Sequence, residues 1–224
     1  NTYTSKKSNQ EKKYNLILDL GEFKGKGNNN NNYVDLSRYG FSSVFANNYK
    51  LLNFGKIDKE YNIKNRYSSR LVDQGVFLNT KFSNGFYAYS NGKSQSIYSF
   101  EFGPKFVYGN LKEKLFDFTE LSIFPEFVLK NGISPFEFDD FNNDSRIKLG
   151  LKQQIYGPFI LGINSDYNIS NNSSNYGQFE NKKISLEVSR RAYSMKLSYS
   201  EEGNVIYFGF DIFDFGYKNN SPSF

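Results

Sequence analysis

No cysteine and no histidine occur among the 224 residues. Without cysteine there is no disulfide framework and no thiolate metal site. Without histidine the chain lacks the usual general base near neutral pH and the commonest metal ligand, so catalysis would have to rest on carboxylates, lysine or tyrosine. The chain is accordingly expected not to be an enzyme and to carry no cofactor and no metal. Long apolar runs are missing as well. No stretch approaches the roughly 18–20 consecutive apolar residues of a membrane-crossing helix, in keeping with a mean hydropathy of -0.64. No charged segment followed by an apolar one opens the chain, which starts at Asn1, so a processed product or a piece of a longer protein is expected. A dense basic stripe is also lacking. The net charge is +5, and Lys6-Lys7 with Lys12-Lys13 is the local concentration. That is no nucleic-acid footprint, and a flexible tail over residues 1–13 is expected instead.

What the chain does have is aromatic. Hydrophobic residues make up 38% and aromatics 19%, so Tyr and Phe supply half of the apolar side chains, with Asn, Ser and Gly filling much of the remainder. That is a poor recipe for an interdigitated aliphatic core. It differs equally from disordered chains, which are depleted in aromatic and β-branched residues. A membrane barrel needs no aliphatic core, because one side-chain set faces lipid and the other lines a polar interior.

The residues are arranged with period two, the signature of strands. Tyr193, Met195, Leu197 and Tyr199 alternate with Ala192, Ser194, Lys196 and Ser198. Ile184, Leu186 and Val188 precede them, and Ile206, Phe208, Phe210 and Ile212 follow after a Glu201-Glu202-Gly203-Asn204 turn. Upstream, Ile147, Leu149 and Leu151 are separated from Phe159, Leu161 and Ile163 by Gly157-Pro158. Tyr98, Phe100, Phe102 and Phe106 alternate with Ser99, Glu101, Gly103 and Lys105 after the turn Asn91-Gly92-Lys93. Weaker strands are read over Tyr14–Phe23, Leu36–Tyr49 and Gln74–Tyr89. The expected fold is all-β, an antiparallel transmembrane β-barrel or the C-terminal portion of one, of about ten strands over residues 14–217, with a tail at 218–224. Pro104 and Pro125 fall inside strands and predict bulges or breaks. Phe124 and Val128 fall on the otherwise polar face, which predicts a strand covered on both sides. Gly25–Asn32 with its five Asn, Phe54–Asn65, Gly132–Ser145 and Ser170–Asn175 read as polar loops, and long loops on one side with tight turns on the other are expected.

Candidate chemistry is sparse. Gly92-Lys93-Ser94 ends like a phosphate-binding loop, but Tyr87 stands where the first glycine belongs. Gly21, Gly25 and Gly27 make no dinucleotide fingerprint and read as a turn. Glu137, Asp139, Asp140 and Asp144 could gather oxygen ligands for calcium, yet their spacing matches no defined loop, and a solvated acidic loop is the simpler reading. No carboxylate pair is singled out for glycoside cleavage. Arg190-Arg191 either binds phosphate or carboxylate groups or occupies a turn at a membrane surface. No catalytic, cofactor-binding, metal or ligand-binding residue is assigned.

Four ordered motifs carry a resemblance: Phe116-Asp117-Phe118-Thr119, Gly132-Ile133-Ser134-Pro135-Phe136-Glu137-Phe138-Asp139, Gln153-Gln154-Ile155-Tyr156-Gly157-Pro158-Phe159 and Ser189-Arg190-Arg191-Ala192-Tyr193-Ser194. With Leu20-Gly21-Glu22-Phe23-Lys24-Gly25 upstream, they resemble the cyanobacterial LptD-like family of lipopolysaccharide-assembly outer-membrane proteins. Leu186 to Phe215 also looks like the closing strands of proteobacterial LptD. Those proteins carry cysteines in the turn where Arg190-Arg191 stands here, so their redox-controlled assembly does not transfer. The resemblance implies an outer-membrane location and the membrane-embedded C-terminal portion of a larger protein. It implies transport of lipopolysaccharide into the outer leaflet, sugars entering a polar lumen and acyl chains leaving between imperfectly paired strands. Implied partners are outer-membrane lipid and lipopolysaccharide, periplasmic bridge proteins and the barrel-assembly machinery, with no nucleic acid. The alternative is a generic outer-membrane channel or structural barrel.

Overall fold

The computed structural model describes residues 2–7, 10–28, 32–55, 67, 72–139, 144–190 and 192–212. They form one antiparallel sheet in which each strand pairs with its sequence neighbours. The strands are β1 (Thr2–Lys7), β2 (Gln10–Lys26), β3 (Tyr33–Asn53), β4 (Gly75–Tyr89), β5 (Ser94–Gly109), β6 (Phe118–Gly132), β7 (Arg146–Tyr156), β8 (Phe159–Asn168), β9 (Phe179–Ser189), β10 (Tyr193–Ser200) and β11 (Val205–Ile212). Among the described residues the sheet is not closed on itself, and β1 and β11 are its edges.

The segment expected as an N-terminal tail is instead in the sheet. Thr2–Lys7 forms β1, and Gln10–Lys13 begins β2, paired with Ala46–Tyr49. Ladder bonds join backbone to backbone, so a polar segment pairs as well as an apolar one once a 21-residue strand such as β3 offers a template. The predicted strand end near Tyr217 and the tail at 218–224 lie outside the described residues.

Directly opposite residues share a face, so the register assigns every side chain. One face carries Tyr14, Leu16, Leu18 and Leu20 of β2, and Tyr39, Phe41, Phe45 and Tyr49 of β3. It continues through Leu78, Phe82 and Phe86 of β4 and Tyr98 to Tyr108 of β5. Leu121, Ile123, Phe127 and Leu129 of β6 and Ile147, Leu149 and Leu151 of β7 extend it. The alternating sets of β8 to β11 named above complete it. Most of these side chains are exposed or half-buried, and among the described residues no second layer covers them. Their contacts are lateral: Phe100 stacks on Phe102 at 5.4 Å and Phe102 on Phe127 at 6.4 Å.

Both prolines lie on this apolar face, in neighbouring strands. Pro104 keeps its place opposite Leu78 of β4, and Pro125 opposite Ile147 of β7. Between β5 and β6, however, pairing lapses from Glu101↔Glu126 to Lys105↔Ser122, then resumes without a register shift. The expected break is therefore present and no bulge accompanies it. The two missing N–H donors are gathered at one strand boundary, which leaves the outer neighbours intact. Phe124 and Val128 face the polar side, opposite Lys148 and Ser99, as expected.

The connections depart from the expected division into long loops at one end and tight turns at the other. The strand ends joined by the β2–β3, β4–β5, β6–β7, β8–β9 and β10–β11 connections make the upper end; those joined by the β1–β2, β3–β4, β5–β6, β7–β8 and β9–β10 connections make the lower end. Each end mixes long and short connections, and among the described residues Phe136 and Asp139 at the upper end and Tyr67, Val72 and Leu111 at the lower pack over the polar face.

Candidate functional site

The polar face is a charged lining sealed at its two ends. At the upper end, β6 finishes at Gly132, whose φ of +80° favours glycine. A Cβ there would overlap the Ser94 carbonyl oxygen. The chain then turns inward and crosses the ends of β5, β4 and β3 to reach β2. Phe136 forms an isolated bridge with Gly27, Asn28 N donates to Pro135 O at 2.9 Å, and Glu137 meets Lys26 at 3.0 Å. Phe136 is 0% exposed, beside Tyr89 and Phe138, and Ser134 Oγ accepts from its N–H at 3.0 Å.

Asp139 locks this crossing. Its carboxylate pairs with Arg38 Nη1 at 2.7 Å and accepts from Tyr89 Oη at 2.6 Å, while Gln95 Nε2 donates to Tyr89 Oη at 2.8 Å and to the Asp139 carbonyl at 2.7 Å. Arg38 also pairs with Asp19 and lies 4.2 Å over the Phe23 ring. Tyr89 sits past Phe86, the last aromatic residue on its strand's other face. Burial and the Asp139 carboxylate push its phenol above the ordinary range, so it stays a donor.

At the lower end, Phe77, Val107, Leu111, Phe118 and Ile160 make an apolar cluster on which Tyr67 and Val72 pack. Gln154, 0% exposed, ties three segments there. Its Oε1 accepts from Asp117 N at 2.7 Å, and Nε2 donates to Glu113 O at 2.9 Å and Gly157 O at 2.6 Å. Asp117 Oδ2 in turn accepts from Lys112 N and Glu113 N.

Between the seals, charges pair across strands. Glu120 receives Lys105 at 3.0 Å and Lys152 at 3.1 Å. Lys148 bridges Glu101 at 2.7 Å and Glu126 at 2.9 Å, and Arg146 joins Glu126 at 3.5 Å to Asp166 at 3.3 Å. These ion pairs span β5 to β8. They stiffen a hydrated lining, where each pair contributes little individually.

The sequence candidates fare differently. Gly92-Lys93-Ser94 is a hairpin turn, with Gly92 at φ +79° and Tyr89 N donating to Lys93 O at 2.9 Å. The acidic cluster is dispersed. Glu137 pairs with Lys26, Asp139 with Arg38, and Asp144 accepts from Ser173 Oγ at 3.2 Å; Asp140 lies outside the described residues. Asp139, read as part of a solvated acidic loop, is 7% exposed, because Arg38 and Tyr89 replace its water. Gly25 runs beside Phe138 in the bridged crossing. Arg190 occupies the β9–β10 turn, its N–H donating to Tyr193 O at 2.8 Å, and Arg191 lies outside the described residues. Arg38, Tyr89 and Gln95 were not singled out by sequence. The available signal was three aromatic or aliphatic side chains, Ile133, Phe136 and Phe138, in a supposedly polar loop.

Gly132→Ala is expected to cost about 1–3 kcal/mol through strain at its positive φ. Limited proteolysis of the folded protein should then cut within 133–139 before any strand; unchanged cleavage would remove Gly132 as the pivot.

Residues 14–216 match the sequence model of a family described as Protein of unknown function (DUF3769). No curated protein and no solved structure matches the chain.

Proposed function

The chain belongs to that DUF3769 family, and from this premise we propose that it is an outer-membrane β-barrel segment that transports lipopolysaccharide and inserts it into the outer leaflet. One observation carries the membrane part. On the uncovered face of β5, Tyr98 and Tyr108 bracket Phe100, Phe102, Pro104 and Phe106, and on β3 Tyr39 and Tyr49 bracket Phe41 and Phe45. Ten residues of strand span about 33 Å, or about 25 Å of height at a ~40° tilt, which is the apolar band of a transmembrane barrel with an aromatic girdle at each interface. On this face no charge falls between the tyrosines of either strand, Ser43 and Asn47 being the polar positions of β3, while Glu101 and Lys105 of β5 face the other way.

Two features support the transport part, beside the resemblance of the four motifs. The inner lining of paired charges, Ser and Asn suits hydrated sugars. The proline-interrupted boundary between β5 and β6 is a place where acyl chains could leave a polar interior sideways for lipid. No bond is made or broken in this mechanism. The rival reading, a structural barrel, is favoured by the two inward seals, which oppose free passage along the axis.

Depleting the full-length protein in its native cell and labelling surface lipopolysaccharide tests the proposal. Surface lipopolysaccharide should fall severalfold while the total is retained; unchanged surface levels would leave the structural barrel in its place.

A further inference from the structure

A cavity of about 210 Å³ opens on the inner face of β2 to β5, lined by Glu11, Lys13, Asn48, Asn79, Lys81 and Glu101 among others. Asn48 and Asn79 stand directly opposite each other in the register. The Oδ1 atoms of both are shut off from bulk solvent and accept no hydrogen bond among the described residues. Amide oxygens held in that state call for a donor. Ala46 lies between Lys13 and Lys81 in the register, and its small side chain takes up little of the cavity that all three line.

The charges of the lining balance. Two lysines face two glutamates, and both glutamates already have cations: Glu11 has Lys13 at 3.5 Å and Glu101 has Lys148 at 2.7 Å. Lys81 makes no ion pair among the described residues, and the network of Glu101, Glu126, Asp166, Lys148 and Arg146 that it borders carries one more negative than positive charge. The region as a whole therefore carries no net charge to attract an ion. It offers acceptors at the two Asn oxygens and the carboxylates, and donors at the ammonium groups, within one small volume. Hydroxyl groups both donate and accept, and a ring bearing several of them matches such a mixed array.

We infer that this cavity is a binding subsite for a neutral, hydroxyl-rich saccharide, one that bears no phosphate or carboxylate at the point of contact. The inference takes its setting from the transport proposal, since a saccharide passing along the inner face would meet the cavity, but its test requires no transport.

Detergent-purified protein is titrated with the neutral trisaccharides isomaltotriose and chitotriose, binding being read by saturation-transfer NMR, with glucose 6-phosphate compared against glucose. Saturable binding of a trisaccharide is expected. It should weaken about five- to tenfold in Asn79→Leu, which removes an acceptor, and at least as much in Ala46→Phe, which extends a ring into the cavity. Heat-modifiable gel migration confirms that each variant is folded. Glucose 6-phosphate should bind no better than glucose. Absence of saturable trisaccharide binding, equal binding in wild type and folded Ala46→Phe, or tighter binding of the phosphorylated sugar would each overturn the assignment. Surface lipopolysaccharide that is unchanged on depletion would refute transport and leave the subsite standing.

Discussion

Replacing Arg38 by methionine is expected to destabilise the protein by about 3–5 kcal/mol, the usual consequence of removing one partner from a buried charge pair. Arg38 and Asp139 expose only 12% and 7% of their side chains, and Asp19 shares the guanidinium. The substitution leaves the Asp139 carboxylate with the Tyr89 hydroxyl as its only side-chain donor among the described residues and leaves Asp19 facing an apolar stem. The loss should centre on the crossing at residues 133–139, whose amides should exchange with deuterium well before those of β3 and β4. Asp139→Asn added to Arg38→Met should restore part of the loss, because the stranded charge is then gone. Urea unfolding followed by tyrosine fluorescence measures the effect, the chain having no tryptophan. A change within about 0.5 kcal/mol, the range of ordinary surface substitutions, would mean that the ion pair does not hold the upper seal.

The second large effect is expected on the opposite face. Phe102→Arg puts a cation midway between Tyr98 and Tyr108, and in a bilayer this should cost about 2–4 kcal/mol, whereas Tyr108→Arg at the band's edge should cost about 0–1 kcal/mol. Folding into phospholipid vesicles across a urea series reports both. The gradient with depth is the diagnostic quantity. Equal and small costs at the two positions would mean that water covers this face, and the membrane reading would fail with it.

Much of the sheet was legible because a strand with one apolar face writes its geometry directly into the sequence. Leu197 and Leu186, or Phe208 and Leu197, pair as their alternation implied. Pro104 and Pro125 marked the lapse between β5 and β6 from chemistry alone, since a proline nitrogen cannot donate. Residues 2–7 and 10–13 were hidden for the opposite reason: their pairing rests on backbone groups, and their Lys, Gln and Glu side chains show no apolar period.

The seals were illegible in a different way. Phe136 is buried and Asp139 is charged and buried only because a loop after β6 reaches β2, more than a hundred residues earlier in the chain. No local pattern encodes such a contact. Yet six of the residues that make the seals, Asp117, Phe118, Ser134, Phe136, Asp139 and Gln154, fall inside the motifs on which the family resemblance rests, while Arg38, Tyr89 and Gln95 lie outside them. Those motifs recorded loop anchoring, and the alternating strands between them recorded the faces.

Among the described residues the strands number eleven, an odd count. Each neighbour reverses direction, so the first and eleventh run the same way. Joining those two edges directly would create a parallel seam in an otherwise alternating ring. A cylinder that alternates all the way round must therefore interpose an odd number of additional strands between Thr2–Lys7 and Val205–Ile212, and the strand beside either edge must run opposite to it.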